Sequence, residues 1–507
     1  MLKQIAASVL LLCAGQAVLA QTRAVALPNI VFIYSDDLGY GDAGCYGATR
    51  VRTPQIDRLA REGLRFTNAH TSAATCTPSR YSVITGRYAW RKAGTGIAPG
   101  NAGLIIPTDS ITLASVLHRA GYATAVVGKW HLGLGGPSGP DWNGEIKPGP
   151  LELGFDESFI IPATLDRVPT VFIDQHRVAG LNPQDPLLVS YGQPVGNEPT
   201  GKDHPELLRI PASHGHDQTI VNGIGRIGYM AGGKSARWVD EEVAQVLSRK
   251  AIDFIVANRD RPFFLYYATT DIHVPHMPNQ AFMHKSALGL RGDAILQLDW
   301  CVGRVLHTLD SLGLSDRTLV IFSSDNGPVV DDGYADGSVG RLDGHRPAGP
   351  LRGGKYSKFE GGTRVPFITR WPGHIRPGTS DALLSQVDLL ASLAAFARQP
   401  LAAGDALDSR NEMDVLLGRT RLGRGSLVEE GYGLAIVKGR WKLIEPSPGP
   451  KADQHVNIEL GNDPRVQLYD LSADIGETHN VAAAHPAIVQ ALEDLLHQER
   501  KKAAAVR

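Results

Sequence analysis

Cysteine is scarce in this chain: Cys13, Cys45, Cys76 and Cys301 are its only four in 507 residues. That is too few for a disulfide scaffold of this size. Charge of one sign is also missing, because 51 basic and 52 acidic residues leave a formal net charge of -1. Counterion-release binding needs a clear surplus of Lys and Arg, so a general nucleic-acid or polyanion binder is excluded, though a local pocket for one anionic group is not. Beyond the N-terminus no segment is long and apolar enough for a membrane span. There is no internal repeat, and the 56 Gly and 32 Pro follow no collagen-like period. What remains is a turn-rich globular chain, long enough for a large core and more than one domain.

The N-terminus carries a secretory pattern. Lys3 precedes an apolar stretch from Ile5 to Leu12, and Val18-Leu19-Ala20 offers a cleavage site before Gln21. Residues 1–20 are therefore expected to be a signal peptide and the mature protein to be periplasmic or secreted. Cleavage removes Cys13 and leaves three cysteines. A Cys45–Cys301 pair is left open, with Cys76 then the odd thiol.

Several apolar runs end abruptly in chemically capable residues. Asn29 to Tyr34 leads to Asp36-Asp37, Ala123 to Val127 to Lys129 and His131, Phe263 to Ala268 to His273, and Thr318 to Phe322 to Asp325-Asn326. Runs that are apolar throughout suit strands buried on both faces. Helical patterns lie between them, at Pro54 to Gly63, Ser110 to Gly121 and Val239 to Asn258. The alternation predicts an α/β fold, a large mostly parallel or mixed sheet sandwiched by helices, with ligands beyond the carboxyl ends of the strands. Residues 21–421 are read as the catalytic domain. Within it, 135–235 is an insertion shaping substrate access, with a strand-like piece at Thr170 to Asp174. Residues 422–507 are read as a smaller α+β subdomain with an antiparallel sheet (strands near 433–438, 441–444 and 466–469) and a closing helix near 485–501.

Asp36, Asp37, Asp325 and Asn326 are four hard oxygen donors, a set that suits Ca²⁺ or Mg²⁺ and not a structural zinc. Either pair alone would be ordinary turn chemistry; both ending core strands of one sheet favour a shared metal. In Thr75-Cys76-Thr77-Pro78-Ser79-Arg80 the proline sits where a first helical turn tolerates it. Cys76 is thus expected at a helix N-terminus, where free N–H groups favour an anion, with Arg80 one turn along.

Cys76-Thr-Pro-Ser-Arg80 followed by Thr85-Gly86-Arg87 resembles the signature of the formylglycine-dependent type I sulfatases, a branch of the alkaline phosphatase superfamily. Asp36-Asp37 with Gly39 and Asp42, Gly128-Lys129-Trp-His131, Ser324-Asp325-Asn326-Gly327, Gly354-Lys355, Glu360-Gly-Gly-Thr-Arg364 and the tail from Leu468 to Asn480 agree with it. The resemblance implies oxidation of Cys76 to Cα-formylglycine by a separate maturing enzyme. A gem-diol nucleophile then gives a covalent sulfate intermediate, and sulfate leaves as the aldehyde re-forms. It also implies Asp36, Asp37, Asp325 and Asn326 as metal ligands, for Ca²⁺ in preference to Mg²⁺, with residue 76 completing the shell. Arg80 and Lys129 would hold the diol, His131 would accept a proton, and His273 and Lys355 would bind the ester and protonate the leaving oxygen. The expected substrate is a sulfated carbohydrate. Competing readings are a phosphodiesterase or phosphonate monoester hydrolase of the same superfamily, and a catalytically silent glycan-binding protein. Ser158 is a further candidate for sulfate binding, His276 for substrate contact or loop support, and Asp166, Arg167, His214 and His216 for specificity.

Overall fold

The first strand, β1 (Asn29–Ser35), is apolar on both sides because both sides are covered. Ile30, Phe32 and Tyr34 enter one core, Val31 and Ile33 the other. The computed structural model describes residues 27–502; the expected signal segment 1–20, with Cys13, lies outside the described residues. A single ten-stranded mixed sheet organises the larger part. After β1 come β2 (Leu64–Phe66), β3 (Ala123–Lys129), β4 (Glu157–Ile161), β5 (Ile173–Asp174) and β6 (Arg177–Val178). These are followed by β7 (Phe263–Ala268), β8 (Thr318–Ser324), β9 (Phe367–Arg370) and β10 (Gly378–Ser380). The order across the sheet is β10-β2-β9-β8-β1-β7-β3-β4-β5-β6. The consecutive strands β8, β1, β7, β3 and β4 are parallel.

Helices cover both faces. In chain order they are α1 (Pro54–Glu62), α2 (Cys76–Thr85), α3 (Leu113–Arg119), α4 (Val243–Ala257) and α5 (Gly289–Ser311), then the single turn α6 (Glu360–Thr363) and α7 (Leu389–Phe396). Side chains of α2, α3 and α7 fill one core, and those of α1, α4 and α5 the other. The helix expected from Ser110 is shorter, because Thr112 caps it by accepting the Ser115 amide hydrogen at 3.0 Å. The one expected from Val239 opens with a separate turn at Asp240–Glu242. The longest helix, α5, has no clear apolar period. Its buried Arg291, Asp293, Gln297 and Asp299 are used to tie loops, as where Arg291 donates to Asp42 at 2.6 and 2.8 Å.

The segment 135–235 contains β4, which lies parallel to β3 in the main sheet, and β5 and β6 at its margin. Of the run Thr170 to Asp174, only Ile173–Asp174 is a strand. Beyond residue 422, β11 (Leu427–Gly431), β12 (Gly433–Lys438), β13 (Trp441–Ile444) and β14 (Gln467–Asp470) form an antiparallel sheet in that order. The apolar face of α8 (Pro486–Lys501) packs on it through Leu492 and Leu496.

A fully buried charge cluster joins the two sheets. Lys442 Nζ lies 2.8 Å from Glu360 and 2.9 Å from Glu429, whose other oxygen is 2.7 Å from His70 Nδ1. Glu477 accepts the Glu360 amide hydrogen at 2.6 Å, which explains why the tail and the Glu360-Gly-Gly-Thr segment belong together. Cys45, Cys76 and Cys301 are all free thiols. Among the described residues no helix is long and apolar enough to cross a membrane.

Candidate active site

Because β8, β1, β7 and β3 are adjacent and parallel, their carboxyl ends share one edge. They carry Asp325 and Asn326, Asp36 and Asp37, His273, and Lys129 and His131 to that edge. Backbone bonds continue past the strand ends: Asp325 N donates to Ser35 O at 3.1 Å, and Ile272 N to Asp36 O at 2.7 Å. Gly128, at φ +112°, lets β3 and β7 close here; a Cβ at that position would fall 1.8 Å from Ala268 O. All ten predicted site residues are buried, none more than 4 % exposed.

Three carboxylates and one amide meet at the centre. Asn326 Nδ2 donates to Asp37 Oδ1 at 2.7 Å, and Asp37 N donates to Asp325 Oδ1 at 3.3 Å. Asp36, Asp37 and His273 present ligand atoms within 4.8 Å of one another. Burial, and then the like charge of Asp325, raise the Asp36 carboxyl well above the usual range. Burial pushes Asp325 in the same direction, but Arg80 and Lys129 outweigh it and hold its pKa at about 2. Asn326 Oδ1 is buried without a hydrogen-bond partner. Crowded carboxylates beside an orphan oxygen fit a hard divalent cation, with no soft donor to favour zinc.

Cations ring this cage. Lys129 Nζ lies 2.7 and 2.8 Å from the Asp36 oxygens and 3.6 Å from Asp325. Arg80 reaches Asp325 Oδ2 through Nε at 2.9 Å and Nη2 at 2.7 Å. Cys76 is the first residue of α2, a helix buried along its whole length. Thr77, next to it, donates to His131 O at 3.1 Å and so fixes the start of the helix to the end of β3. Burial raises the Cys76 thiol pKa, against the pull of Lys129 and Lys355. A thiol kept protonated is a poor nucleophile.

The two histidines have different surroundings. His131, at φ +58°, sets Nε2 2.9 Å from Ala98 O and leaves Nδ1 buried with no partner. A proton on Nε2 makes Nδ1 an accepting lone pair, and burial with nearby Lys129 and Arg167 lowers the ring's pKa, keeping it neutral. His273 Nδ1 lies 2.8 Å from Val274 O, which leaves Nε2 to accept from Lys355 Nζ at 3.3 Å. Burial and Lys355 lower the pKa of His273, so the proton carrier of this pair is Lys355. Lys355 Nζ also donates to Asp37 at 2.9 Å and to Asp332 at 2.7 Å. Asp332 is absent from the sequence reading; it lies in an irregular loop with no strand or motif to mark it.

Of the specificity candidates, Asp166 and His216 are joined at 2.9 Å, and Asp166 lies 3.9 Å from His273 Nδ1. Both ring nitrogens of His216 face acceptors, the Asp166 carboxylate and His214 O. Burial opposes protonation, but Asp166 outweighs it and raises the His216 pKa. Arg167 Nη1 donates to Thr164 Oγ1 at 2.8 Å and to Asp166 at 3.3 Å. His214 packs against His455 of the C-terminal sheet domain, ring centres 4.9 Å apart and planes tilted by 33°. Ser158 lies away from the edge: it pairs with Val126, three residues before Lys129 on β3, or about 10 Å along the strand. His276 supports a loop, with Nδ1 on Asp336 and Nε2 3.1 Å from Ile272 O.

A sulfatase family profile matches residues 28–398. The chain is 54% identical over 477 residues to an N-acetylgalactosamine-6-O-sulfatase of Bacteroides thetaiotaomicron, covering 94% of this chain and 93% of that protein. It is 35% identical over 490 residues to human arylsulfatase A, covering 92% and 87%. A solved structure reported for the metabolism of multiple glycosaminoglycans by Bacteroides thetaiotaomicron superposes with a TM-score of 0.93 at 54% identity, covering 94% of this chain and 99% of that one.

Proposed function

This chain belongs to the sulfatase family and is a sulfuric-ester hydrolase; from that premise we propose that its substrate is a 6-O-sulfated N-acetylgalactosamine residue of a sulfated glycan, cleaved in the periplasm or outside the cell after export by the 1–20 signal. The observation that carries the substrate is the 54% identity, over nearly the whole chain, to an enzyme of that specificity. Asp166, Arg167 and His216 beside His273 supply fixed, charged hydrogen-bonding groups of the kind a sugar's hydroxyls require. A silent glycan binder has no use for a buried base, a proton carrier and a cation cage in one place.

Residue 76 is the nucleophile in this reading, as Cα-formylglycine made from Cys76 by a maturing enzyme. The raised thiol pKa supports a modified side chain over free thiolate chemistry. Asp36, Asp37, Asp325 and Asn326 would hold Ca²⁺, which supplies Lewis acidity toward a sulfate oxygen and lowers the pKa of a hydroxyl beside it. Lys129 and Arg80 position residue 76 and offset the negative charge that grows on the sulfo group. His131 takes a proton at Nδ1, the nitrogen without a partner. Lys355 delivers a proton to the departing sugar oxygen while neutral His273 holds the ester.

Two measurements test this. Mass spectrometry of the peptide carrying residue 76, after a carbonyl-reactive tag, should find the aldehyde; an alkylatable thiol in active protein would remove the formylglycine route. Turnover of 6-O-sulfated N-acetylgalactosamine should exceed that of its 4-O-sulfated isomer and of matched phosphate esters by at least about 100-fold. Equal or faster phosphate-ester turnover would overturn the substrate reading.

A further inference from the structure

A cavity of about 570 Å³ lies within the C-terminal sheet domain and borders the site. Tyr432 lines it from the tip of the β11–β12 hairpin, where Gly431 and Gly433 pair across the turn. Tyr432 is 57% exposed, so its ring face is open to a ligand. Its ring lies parallel to that of Tyr356, 6° between planes and 6.0 Å between centres. Tyr356 in turn donates its hydroxyl hydrogen to Asp332 at 3.1 Å, and Asp332 holds Lys355. His455 lines the cavity too, and is the residue packed against His214. The cavity thus touches the site through two aromatic contacts, one on the Lys355 side and one on the His216 side.

Its interior is preformed. Lys358, 1% exposed, donates to Ser447 Oγ at 2.5 Å and to Asn462 Oδ1 at 2.8 Å. Asn462 closes the ring by donating to Pro450 O at 2.7 Å. These bonds fasten the 446–450 loop to the strand side of the cavity, so no ordering cost falls on a ligand. Pro448, Pro450 and the Tyr432 ring give apolar surface, while Ser447, Asp453 and His455 give hydrogen-bonding groups along the same lining. A pyranose has that composition: an apolar C–H face for an aromatic ring and hydroxyls at its edge.

We infer that this cavity is the subsite for the sugar residue adjoining the sulfated one in an oligosaccharide, with Tyr432 as its stacking platform. The inference rests on the sulfated-carbohydrate reading above and extends it from one residue to a chain. Tyr432 sits at a hairpin tip, so its removal leaves the core intact.

The test compares Tyr432→Ala with the unaltered enzyme on two substrates, 6-O-sulfated N-acetylgalactosamine and an oligosaccharide ending in that residue. The expected result is a fall of about tenfold in kcat/KM on the oligosaccharide, carried by KM, and at least fivefold larger than any fall on the monosaccharide. Tyr432→Trp should restore the oligosaccharide rate. Equal losses on both substrates would mean that Tyr432 acts through Tyr356 on the reaction itself, and an unchanged oligosaccharide rate would mean that the cavity is unused; either overturns the subsite alone. An unaltered enzyme inert on both saccharides overturns the carbohydrate reading and the subsite with it.

Discussion

Glu430 brackets the approach to residue 76: its carbonyl accepts the Ala74 amide hydrogen at 2.7 Å, and its own amide donates to Ser72 O at 2.9 Å. The carbonyl of the same residue is held as well, since Ala74 O accepts from Tyr356 N at 2.8 Å. Residue 76 is therefore positioned by a strand of the C-terminal sheet and by the neighbour of Lys355. Ala74→Pro removes the donor while keeping the chain length. We expect a loss of about 1–3 kcal/mol in stability and a fall in kcat larger than the change in KM. Ala74→Gly, which keeps the N–H, should retain most activity. Denaturant melts with steady-state kinetics check this; a kcat untouched in Ala74→Pro would show that residue 76 is placed without Glu430.

Asp332 is a positioning residue for Lys355. Asp332→Asn keeps the size of the side chain but removes one of two carboxylates on the ammonium. Activity should fall about 10–100-fold with the fold intact. The pH–rate profile should also shift on its alkaline side, which a purely structural defect would not produce. An unaltered profile would assign Asp332 to loop support only.

The crowded carboxylates of Asp36, Asp37 and Asp325 make the folded state responsive to a cation. Ca²⁺ at 100 times its dissociation constant should stabilise the protein by about 2.7 kcal/mol. Mg²⁺ at the same concentration should do less, given its stricter demand for octahedral geometry. Chelation should abolish turnover and lower Tm, and Ca²⁺ should restore both. Asp37→Asn should blunt the response. A Tm indifferent to both ions would rule out the cage.

Glu477 links stability to pH. Burial raises its carboxyl, Lys442 opposes this, and the like charges of Glu360 and Glu429 add to it, leaving a pKa of about 8. In the unfolded chain a Glu titrates near ~4.3. Across that window the folded protein holds a proton that the unfolded chain has lost, so stability falls as pH rises from ~4.3 to about 8. The slope should be on the order of 1 kcal/mol per pH unit, and Glu477→Gln should flatten it. Lys442→Met, which strands the Glu360 and Glu429 carboxylates without their ammonium, should cost about 3–5 kcal/mol at neutral pH. Urea melts at several pH values decide; an unchanged slope in Glu477→Gln would place the titrating group elsewhere.

The sheet was legible because its strands are apolar without alternation and stop at charged residues, as β1 does at Asp36. The predicted metal ligands follow strand ends and Cys76 opens a helix, whereas Lys355 lies in an irregular turn that only the family resemblance marked. What escaped was polar and buried. The helix α5 hides its period behind Arg291 and Gln297, which tie the loops at Asp42 and Asp271, and Asp299, which caps the start of α1. β4 was obscured by Gly- and Pro-rich flanks, although Phe159-Ile160-Ile161 is as apolar as any core strand. Asp332 and Tyr432 sit on a loop and a hairpin tip, and only tertiary contacts give them meaning. Ser158 shows the opposite error: residue type and rough location suggested a ligand, while the register places it low on β4.

Cys76 is 1% exposed at the head of a helix with no exposed residue. Once the chain has closed around it, no second protein can reach that sulfur. Any enzyme that rewrites this side chain has to work on an open polypeptide, before the later segments carrying Asp325, Lys355 and Glu430 close around it. On the proposed formylglycine route, maturation and folding would therefore be in a race, and a host that folds the chain first would accumulate a well-formed but inert protein.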